Sequence, residues 1–184
     1  MRTSAFPDAI DSADLIDSKP FKEESSAMLF EQTTLCYIER DGQYLMLHRV
    51  KKDGDVNRDK WVGVGGHFEA GESPEECMAR EVLEETGLTV TEYAYRGIVT
   101  FVSDEYSDEQ MHLFTVTGVT GALCECDEGV LEWIDKKHLR SLPMWEGDKI
   151  FLDLIDTPCP FFSLKLVYRG SELVSAVLDG KRLR

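Results

Sequence analysis

Basic residues are scarce in this sequence. The chain of 184 residues carries 20 Lys and Arg against 35 Asp and Glu, which gives a formal net charge of −15. Because a surface this negative repels a phosphate backbone, we expect no nucleic-acid polymer as partner. A small anionic substrate stays compatible with this charge if a metal ion or a local basic pocket offsets the negative field.

Cysteines and long apolar runs are also few. The five cysteines are scattered, and Cys124 and Cys126 form a C-x-C rather than the C-x2-C pairs of zinc sites. We therefore expect reduced thiols and a cytoplasmic location. Since no apolar run is long enough to cross a bilayer and no secretory signal is recognisable, we also expect no membrane partner.

The composition supports a single folded core. Apolar residues make up 42% of the chain and aromatic residues 10%, enough for one domain of this length. We assign residues 31–184 to this domain and residues 1–30 to an N-terminal extension, which holds either a short helix at 9–16 or a mobile arm. The sequence leaves open whether the protein is a monomer or a homodimer.

Turn signals and apolar patterns predict a mixed sheet packed between helices. Asp41-Gly42 predicts a hairpin between strands 33–38 and 44–49. The further predicted elements are a glycine-rich strand 61–66, a helix 74–86, strands 98–102, 112–119 and 130–134, a helix 146–155, and a closing hairpin of strands 161–168 and 173–178.

The helix predicted at 74–86 has well-defined ends. Ser73 and Glu76 have the spacing of a capping box, in which each side chain accepts a hydrogen bond from the other residue's backbone. Pro74 suits the first helical position, and Gly87 suits the left-handed conformation after the last one. These signals fix which residues of the helix share a face.

Three carboxylates converge on that helix. At about 100° per residue, Glu81, Glu84 and Glu85 share one side, and we expect the core-facing side to hold the apolar residues Ala79, Val82 and Leu83. No lysine lies between positions 71 and 91, although a solvated acidic face ordinarily interleaves lysines. Such a cluster favours a hard divalent cation with oxygen ligands, Mg²⁺ first and Mn²⁺ as an alternative.

Nine constrained positions within 23 residues match the pattern G-x5-E-x7-R-E-U-x-E-E-x-G-U, where U is apolar: Gly66, Glu72, Arg80, Glu81, Val82, Glu84, Glu85, Gly87 and Leu88. The chain therefore resembles the Nudix hydrolases. This resemblance implies an α/β (α+β) fold, an α/β/α sandwich with a mixed sheet, in which the motif forms a loop–helix–loop metal site.

The resemblance also implies roles for these residues. Arg80 would orient the glutamates, and Gly65 would let the backbone approach the metal and the phosphates closely. The implied metal-binding set is Gly66, Glu72, Glu81, Glu84 and Glu85.

The implied reaction is attack by water on a phosphorus of a nucleoside diphosphate that is linked to another group. Glu81 and Glu85 are candidates for the general base inside the helix, and Glu128 is a candidate outside it. The sequence leaves the choice among them open.

The segment 144–148 resembles the base pocket of the oxidised-purine nucleoside triphosphatases, the MutT-type 8-oxo-dGTP diphosphatases. On this comparison Trp145 stacks on the base and Asp148 binds the purine edge. The chain departs from the animal members of that subgroup, because Gly147 stands in place of an aspartate and Val62 in place of an asparagine. The competing interpretation makes Trp145 a core aromatic residue and Asp148 a first-turn acid favoured by the helix dipole.

A basic stretch precedes the glycine-rich strand. We expect Arg49 to meet the terminal phosphates, and the alternative is a solvated loop. His67 directly follows the glycines and is a further candidate for substrate contact. The other basic residues of the stretch are Lys51, Lys52, Arg58 and Lys60.

Three alternatives accompany this hypothesis. The runner-up is hydrolysis of ADP-ribose or another nucleotide sugar by the same chemistry. A non-catalytic nucleotide-binding module is disfavoured because Glu81, Glu84 and Glu85 are all present. A prenyl diphosphate isomerase would need an additional catalytic cysteine, and neither Cys36 nor Cys77 lies in such a context.

Overall fold

A computed structural model describes residues 30–51 and 56–184. The short helix expected at 9–16, the rest of the N-terminal extension up to residue 29, and Lys52 lie outside the described residues. No helix among the described residues is long and apolar enough to cross a membrane.

Nine strands form one mixed sheet. The order is β3-β2-β1-β5-β4-β7-β8-β9, and β6 pairs with β2 outside this path. The pairs β1–β5 and β4–β7 are parallel, and the other pairs are antiparallel. The strands are β1 Glu31–Arg40, β2 Gln43–His48, β3 Trp61–Val62, β4 Leu88–Ser103, β5 Glu109–Gly121, β6 Val130–Asp135, β7 Phe162–Arg169, β8 Glu172–Leu178 and β9 Lys181–Arg182.

The two predicted hairpins are confirmed. Asp41 and Gly42 join β1 to β2 with positive φ values of 53° and 77°, the combination that a tight two-residue turn between twisted strands requires. Gly170, with φ 55°, lies in the turn between β7 and β8.

Strand β4 differs most from its prediction. It begins at Leu88, directly after the first helix, and runs for 16 residues. Its pairing with β5 shifts register at several points between Val90 and Gly97. Such bulges break the alternation of inward and outward side chains, so the period-2 pattern that reveals a strand is lost over this stretch. The glycine-rich segment also differs, because only Trp61–Val62 joins the ladder as β3.

The two helices lie on opposite faces of the sheet, which confirms the α/β/α sandwich. Helix α1, Pro74–Thr86, packs on β1 and β4, whereas α2, Glu146–Ile155, contacts β8. Each face of the sheet has its own hydrophobic core. Successive residues of β1 point to opposite faces, since Cys36 and Ile38 pack with residues of α1 while Tyr37 packs with residues of α2. A short 3-10 helix, Lys136–Ser141, connects β6 to α2.

The predicted core-facing side of α1 is confirmed for Val82, which is fully buried, and is wrong for Ala79 and Leu83. Ala79 is exposed and Leu83 is 50% exposed, whereas Glu85 of the acidic side is buried and accepts the Gly65 N–H of the glycine loop. Glu85 therefore lies inside the protein, on the same face as Met78 and Val82. The helical pattern gives the spacing of side chains around the axis, but the neighbouring elements decide which side becomes buried. The buried residues of α1 are Cys77, Met78, Val82, Glu85 and Thr86.

Candidate active site

Both ends of α1 are fixed by hydrogen bonds, as the sequence predicts. Ser73 Oγ accepts from the Glu76 backbone N–H at 3.2 Å, and Glu76 Oε2 accepts from the Ser73 N–H at 2.8 Å. Gly87 ends the helix at φ 74°, and its N–H donates to the Leu83 carbonyl at 2.8 Å. These contacts fix the register of the helix and therefore the positions of its glutamates.

The loop before α1 is anchored along β1. The Cys36 N–H donates to the Val64 carbonyl at 2.7 Å, and the Thr34 N–H donates to the Gly66 carbonyl at 2.8 Å. The Gly66 carbonyl, expected beside the metal, is therefore already engaged by the backbone of β1. What Gly66 provides is space, because a Cβ atom at this position would lie 2.5 Å from Glu81 Oε1.

Arg80 gathers the glutamates around its guanidinium group. Its Nε and Nη2 donate to the two carboxylate oxygens of Glu72 at 2.7 and 3.0 Å, and its Nη1 donates to Glu81 at 2.7 Å and to Glu84 at 3.2 Å. The carboxylate of Glu76 does not join this group, because it accepts the Ser73 N–H at the helix cap. The Arg80 hydrogen bonds hold the pKa of Glu72 at about 2, so Glu72 acts as a fixed anion that locks the arginine in place.

The structure divides the signature glutamates into two groups. Glu81 and Glu85 line a cavity of about 880 Å³, whereas Glu72 and Glu84 do not. The Glu84 side chain is 59% exposed, against 14% for Glu81. The sequence could not separate them, because its helical projection places Glu81, Glu84 and Glu85 together.

The pKa of Glu85 is strongly raised in this site. Burial raises its pKa to about 8, and the negative charges of Glu128 and Glu81 add to this effect. The Gly65 N–H, which donates to Glu85 Oε2 at 3.1 Å, and the charge of Arg49 oppose it. The carboxylate is thus buried among like charges with only partial compensation.

The donor set fits a divalent cation. Glu81, Glu85 and Glu128 line the same cavity, and a bound cation would offset both the burial and the repulsion by Glu128 and Glu81 that raise the pKa of Glu85. As the side chains stand, no three His, Cys, Asp or Glu residues within 30–51 and 56–184 are arranged to hold an ion. Arg80 occupies the position of a cation beside Glu81.

The residues of the basic stretch contact different parts of the protein. Arg49, 13% exposed, lines the cavity and forms an ion pair with Glu128. Lys51 Nζ donates to the Cys126 carbonyl at 2.8 Å, and Lys60 lies over the ring of Trp145. Among the described residues of this stretch, Arg49 is the only basic residue that lines the cavity.

Trp145 and Asp148 line the same cavity. Trp145 is 8% exposed, and its indole Nε1 donates to Asn57 Oδ1 at 2.8 Å. Edge-to-face contacts surround the indole from Phe101, Tyr106 and Tyr168. The residue is therefore a core aromatic and a cavity wall at once, so the two interpretations of Trp145 do not exclude each other.

Asp148 is buried without a hydrogen-bonding partner for its carboxylate among the described residues. It is 8% exposed, and burial raises its pKa to about 7, against a lowering effect of Lys60. Its neighbour Gly147 has no room for a side chain, since a Cβ atom there would lie 2.4 Å from Leu166 Cδ1. This crowding accounts for glycine where the animal subgroup carries an aspartate.

His67 lies at the rim of the cavity. Its side chain is 68% exposed, and its Nε2 is 2.9 Å from Glu31 Oε2. The sequence did not single out Glu31, Asn57 or Tyr106, which also line the cavity. These residues come from three separate segments, and no local pattern indicated that the fold would bring them together.

Comparison with known proteins identifies the family. The NUDIX domain profile matches residues 30–155. The uncharacterized Nudix hydrolase YvcI of Bacillus subtilis is 32% identical over 130 residues, which cover 68% of this chain and 78% of that protein. An oxidized purine nucleoside triphosphate hydrolase of Danio rerio is 32% identical over 126 residues, covering 66% of this chain and 77% of that protein.

The fold comparison agrees with the sequence comparison. The crystal structure of a mutator MutT protein from Bacillus halodurans superposes with a TM-score of 0.73 at 32% identity, covering 82% of this chain and 98% of that one. The matched residues include the capped helix, the glycine loop and the cavity-lining carboxylates Glu81, Glu85 and Glu128. The chain belongs to the Nudix hydrolase family, whose enzymes cut diphosphate linkages of nucleotides with a divalent metal ion.

Proposed function

We propose that this enzyme is a Mg²⁺-dependent nucleoside triphosphate pyrophosphohydrolase that acts on oxidised purine nucleotides such as 8-oxo-dGTP. One observation carries the proposal: a single cavity runs from the carboxylates of Glu81 and Glu85 to the aromatic and acidic pair Trp145 and Asp148. The name of the Danio rerio relative, an oxidized purine nucleoside triphosphate hydrolase, supports the same substrate class.

Glu81, Glu85 and Glu128 would hold the Mg²⁺ ion. When bound, the ion offsets the charge of the phosphate oxygens and lowers the pKa of the attacking water. Gly66, Glu72 and Glu84 would hold the carboxylate of Glu81 in position rather than bind the ion. Gly66 leaves space for the Glu81 carboxylate, and Glu72 and Glu84 hold Arg80 against it.

Glu85 is our candidate for the general base. Glu81 is paired with Arg80 and Glu128 with Arg49, whereas Glu85 has no ion-pair partner among the described residues. The attacking water transfers a proton to Glu85 as its oxygen bonds to phosphorus. The bond from that phosphorus to the leaving oxygen breaks, which releases nucleoside monophosphate and pyrophosphate. Arg49, which lines the cavity beside Glu128, is placed to contact the phosphates.

Trp145 and Asp148 would bind the base. The indole supplies a stacking surface, and the buried carboxyl group of Asp148, with its pKa raised to about 7, is protonated in part of the molecules at neutral pH. It can therefore either donate to a base carbonyl or accept from a base N–H. This dual capacity suits an oxidised purine, which presents adjacent N–H and C=O groups.

The test is a nucleotide panel with product identification. We expect Mg²⁺-dependent release of pyrophosphate from 8-oxo-dGTP, with a kcat/KM at least about tenfold above that for dGTP or ADP-ribose. Asp148→Ala should remove most of the preference over dGTP. A clear preference for ADP-ribose, or release of phosphate instead of pyrophosphate, would show that the assigned substrate class is wrong.

A further inference from the structure

We propose that Asn57 and Lys60 determine base specificity by acting through Trp145, whose indole they orient and polarise. The inference rests on the proposed function, because it assumes that the nucleotide base stacks on Trp145. Neither residue belongs to the signature motif, and both lie in the short segment 56–60 that precedes β3.

Asn57 fixes the in-plane orientation of the indole. It lies 88 positions before Trp145 in the sequence, yet its Oδ1 accepts the indole N–H at 2.8 Å. A buried indole N–H without an acceptor is unfavourable, so this contact selects one rotation of the ring. The edge-to-face contacts with Phe101 and Tyr168 then hold the ring plane.

Lys60 sets the charge next to the indole. Its Nζ lies 4.3 Å from the ring centroid and donates to the Val56 carbonyl at 3.1 Å. Lys60 does not line the cavity, whereas Trp145 does, so the ammonium group lies outside the space for the base. A cation over an aromatic ring attracts its π electrons. The surface left for stacking therefore favours a neutral, electron-rich base over a positively charged one.

Backbone hydrogen bonds connect the segment 56–60 and the adjacent Trp61 to Arg49 on one side and to Pro143 on the other. The Lys60 N–H donates to the Asn57 carbonyl at 2.9 Å, which closes the turn. The Arg49 N–H donates to the Lys60 carbonyl at 3.0 Å, and the Trp61 N–H donates to the Pro143 carbonyl at 2.8 Å. Arg49 belongs to the phosphate end, and Pro143 directly precedes the segment that carries Trp145. The turn thereby fixes the position of Trp145 relative to Arg49.

Competitive inhibition by GMP and by N7-methyl-GMP tests the charge effect. The two ligands differ by one methyl group and one positive charge, which the methylated base keeps at pH 6. In the wild-type chain GMP should inhibit 8-oxo-dGTP hydrolysis more strongly than N7-methyl-GMP. Lys60→Met should shift the ratio of the two inhibition constants about tenfold toward the methylated ligand. Lys60→Arg should keep the ratio within about twofold.

A matched control separates this effect from loss of charge in general. Lys149 lies close in sequence to Trp145 and pairs with Glu146 in the first turn of α2, whereas the ammonium group over the indole is that of Lys60. Lys149→Met removes the same charge and should leave the ratio unchanged. An equal shift in Lys149→Met and Lys60→Met would overturn the role of Lys60.

Steady-state kinetics test the orientation effect of Asn57. Asn57→Leu should raise the KM for 8-oxo-dGTP about tenfold and change kcat by less than about twofold. Asn57→Asp keeps the acceptor and should restore most of the affinity. The kcat/KM for methyl triphosphate, which has no base, serves as reference. Equal losses on both substrates would mean a general structural role and contradict the proposal.

The outcomes distinguish this inference from the proposed function. If the wild-type chain hydrolyses 8-oxo-dGTP but Lys60→Met leaves the inhibition ratio unchanged, the inference fails alone. If the wild-type chain hydrolyses no purine triphosphate and binds neither monophosphate, both fail. Should Asn57→Leu not fold, Asn57→Ala, which also removes the acceptor, takes its place in the same comparison, and the two Lys60 variants test the charge effect separately.

Discussion

Glu85 lies in surroundings that are unusual for a helix glutamate. It is 8% exposed, it accepts the Gly65 N–H, and its pKa is raised by burial and then by the charges of Glu128 and Glu81. A carboxylate in this position destabilises the folded chain unless it is protonated or beside a cation. Its position therefore indicates function more strongly than its place in a sequence pattern does.

Replacement of Glu85 tests this difference against a neighbouring glutamate. We expect Glu85→Gln to lower kcat by about 10³-fold, because the amide cannot accept the proton of the attacking water. Glu84→Gln should lower kcat by about tenfold or less, because Glu84 is exposed and acts through Arg80. Steady-state kinetics with excess Mg²⁺ measure both. Equal losses would contradict the division of the glutamates.

Asp148 makes stability depend on pH. Its pKa in the folded chain is about 7, above its ordinary value of 3.8, so the folded chain binds the proton more tightly than the unfolded chain. This stabilisation is complete below about pH 3.8 and is lost as the pH rises through about 7. Asp148→Asn removes the contribution of Asp148 to this pH dependence. We expect the variant to match the wild type near pH 4 and to exceed it at pH 8 by on the order of 2 kcal/mol.

Urea unfolding at the two pH values, with EDTA present, measures this difference. Asp127→Asn is the control, since Asp127 is exposed in the loop before β6 and should change stability by less than about 0.5 kcal/mol at either pH. A constant difference between Asp148→Asn and the wild type across this range would show that Asp148 is not buried as described.

At the level of elements, local signals predicted boundaries well. The capping box of Ser73 and Glu76 and the stop at Gly87 gave the bounds of α1, and Asp41-Gly42 gave the first hairpin. Each of these signals lies within a few residues of the feature that it specifies. This part of the fold was therefore readable from the sequence.

Features that depend on distant segments could not be predicted from the sequence. The burial of Glu85 and the exposure of Leu83 follow from how α1 meets the glycine loop. The bulged start of β4 hides its strand pattern, and β9 has only two residues. The contact of Asn57 with Trp145 joins positions 88 apart. In the candidate site, the sequence indicated the chemical groups but not which of them share the cavity.

The glycine loop offers a test at the level of elements, because its two glycines have different neighbours. A Cβ at Gly66 would meet the Glu81 side chain at 2.5 Å, whereas a Cβ at Gly65 would meet the Thr34 backbone oxygen at 2.1 Å. We expect Gly66→Ala to lower activity about 100-fold by displacing Glu81, with a stability loss under about 1 kcal/mol.

Gly65→Ala should instead destabilise the fold by about 2–3 kcal/mol, since the backbone of β1 cannot move aside without disturbing the sheet. Chemical denaturation and kinetics on both variants give the two values. If Gly66→Ala proves the more destabilising of the two, the described packing of the loop on β1 is incorrect.

At the level of the whole molecule, the cavity depends on more than the matched family region. The NUDIX profile ends at residue 155, yet Leu166 and Tyr168 of β7 line the cavity. The Tyr168 hydroxyl accepts the Gly147 N–H at 2.7 Å and so holds the start of α2. The part of the cavity lined by Trp145 and Asp148 is thus built partly by the closing hairpin, which is consistent with substrate choice residing outside the signature.

The net charge of −15 predicts an unusual salt dependence. The field repels an anionic nucleotide at low ionic strength, and it is screened as the Debye length falls from about 30 Å at 0.01 M to about 8 Å at 0.15 M. We expect kcat/KM to rise about two- to fivefold over this range at fixed free Mg²⁺. A fall in kcat/KM would mean that the local charge of Arg49 outweighs the field of the whole chain.

Calorimetric titration with Mg²⁺ and Mn²⁺ tests the central claim most directly, because it measures cation binding without assuming a substrate. We expect the wild-type chain to bind the ion, Glu81→Gln and Glu85→Gln to lose affinity by at least about tenfold, and Glu76→Gln, altered only at the helix cap, to bind like the wild type. A wild-type chain that binds neither ion, or variants that bind as tightly as the wild type, would contradict the assignment of Glu81 and Glu85 to the metal site.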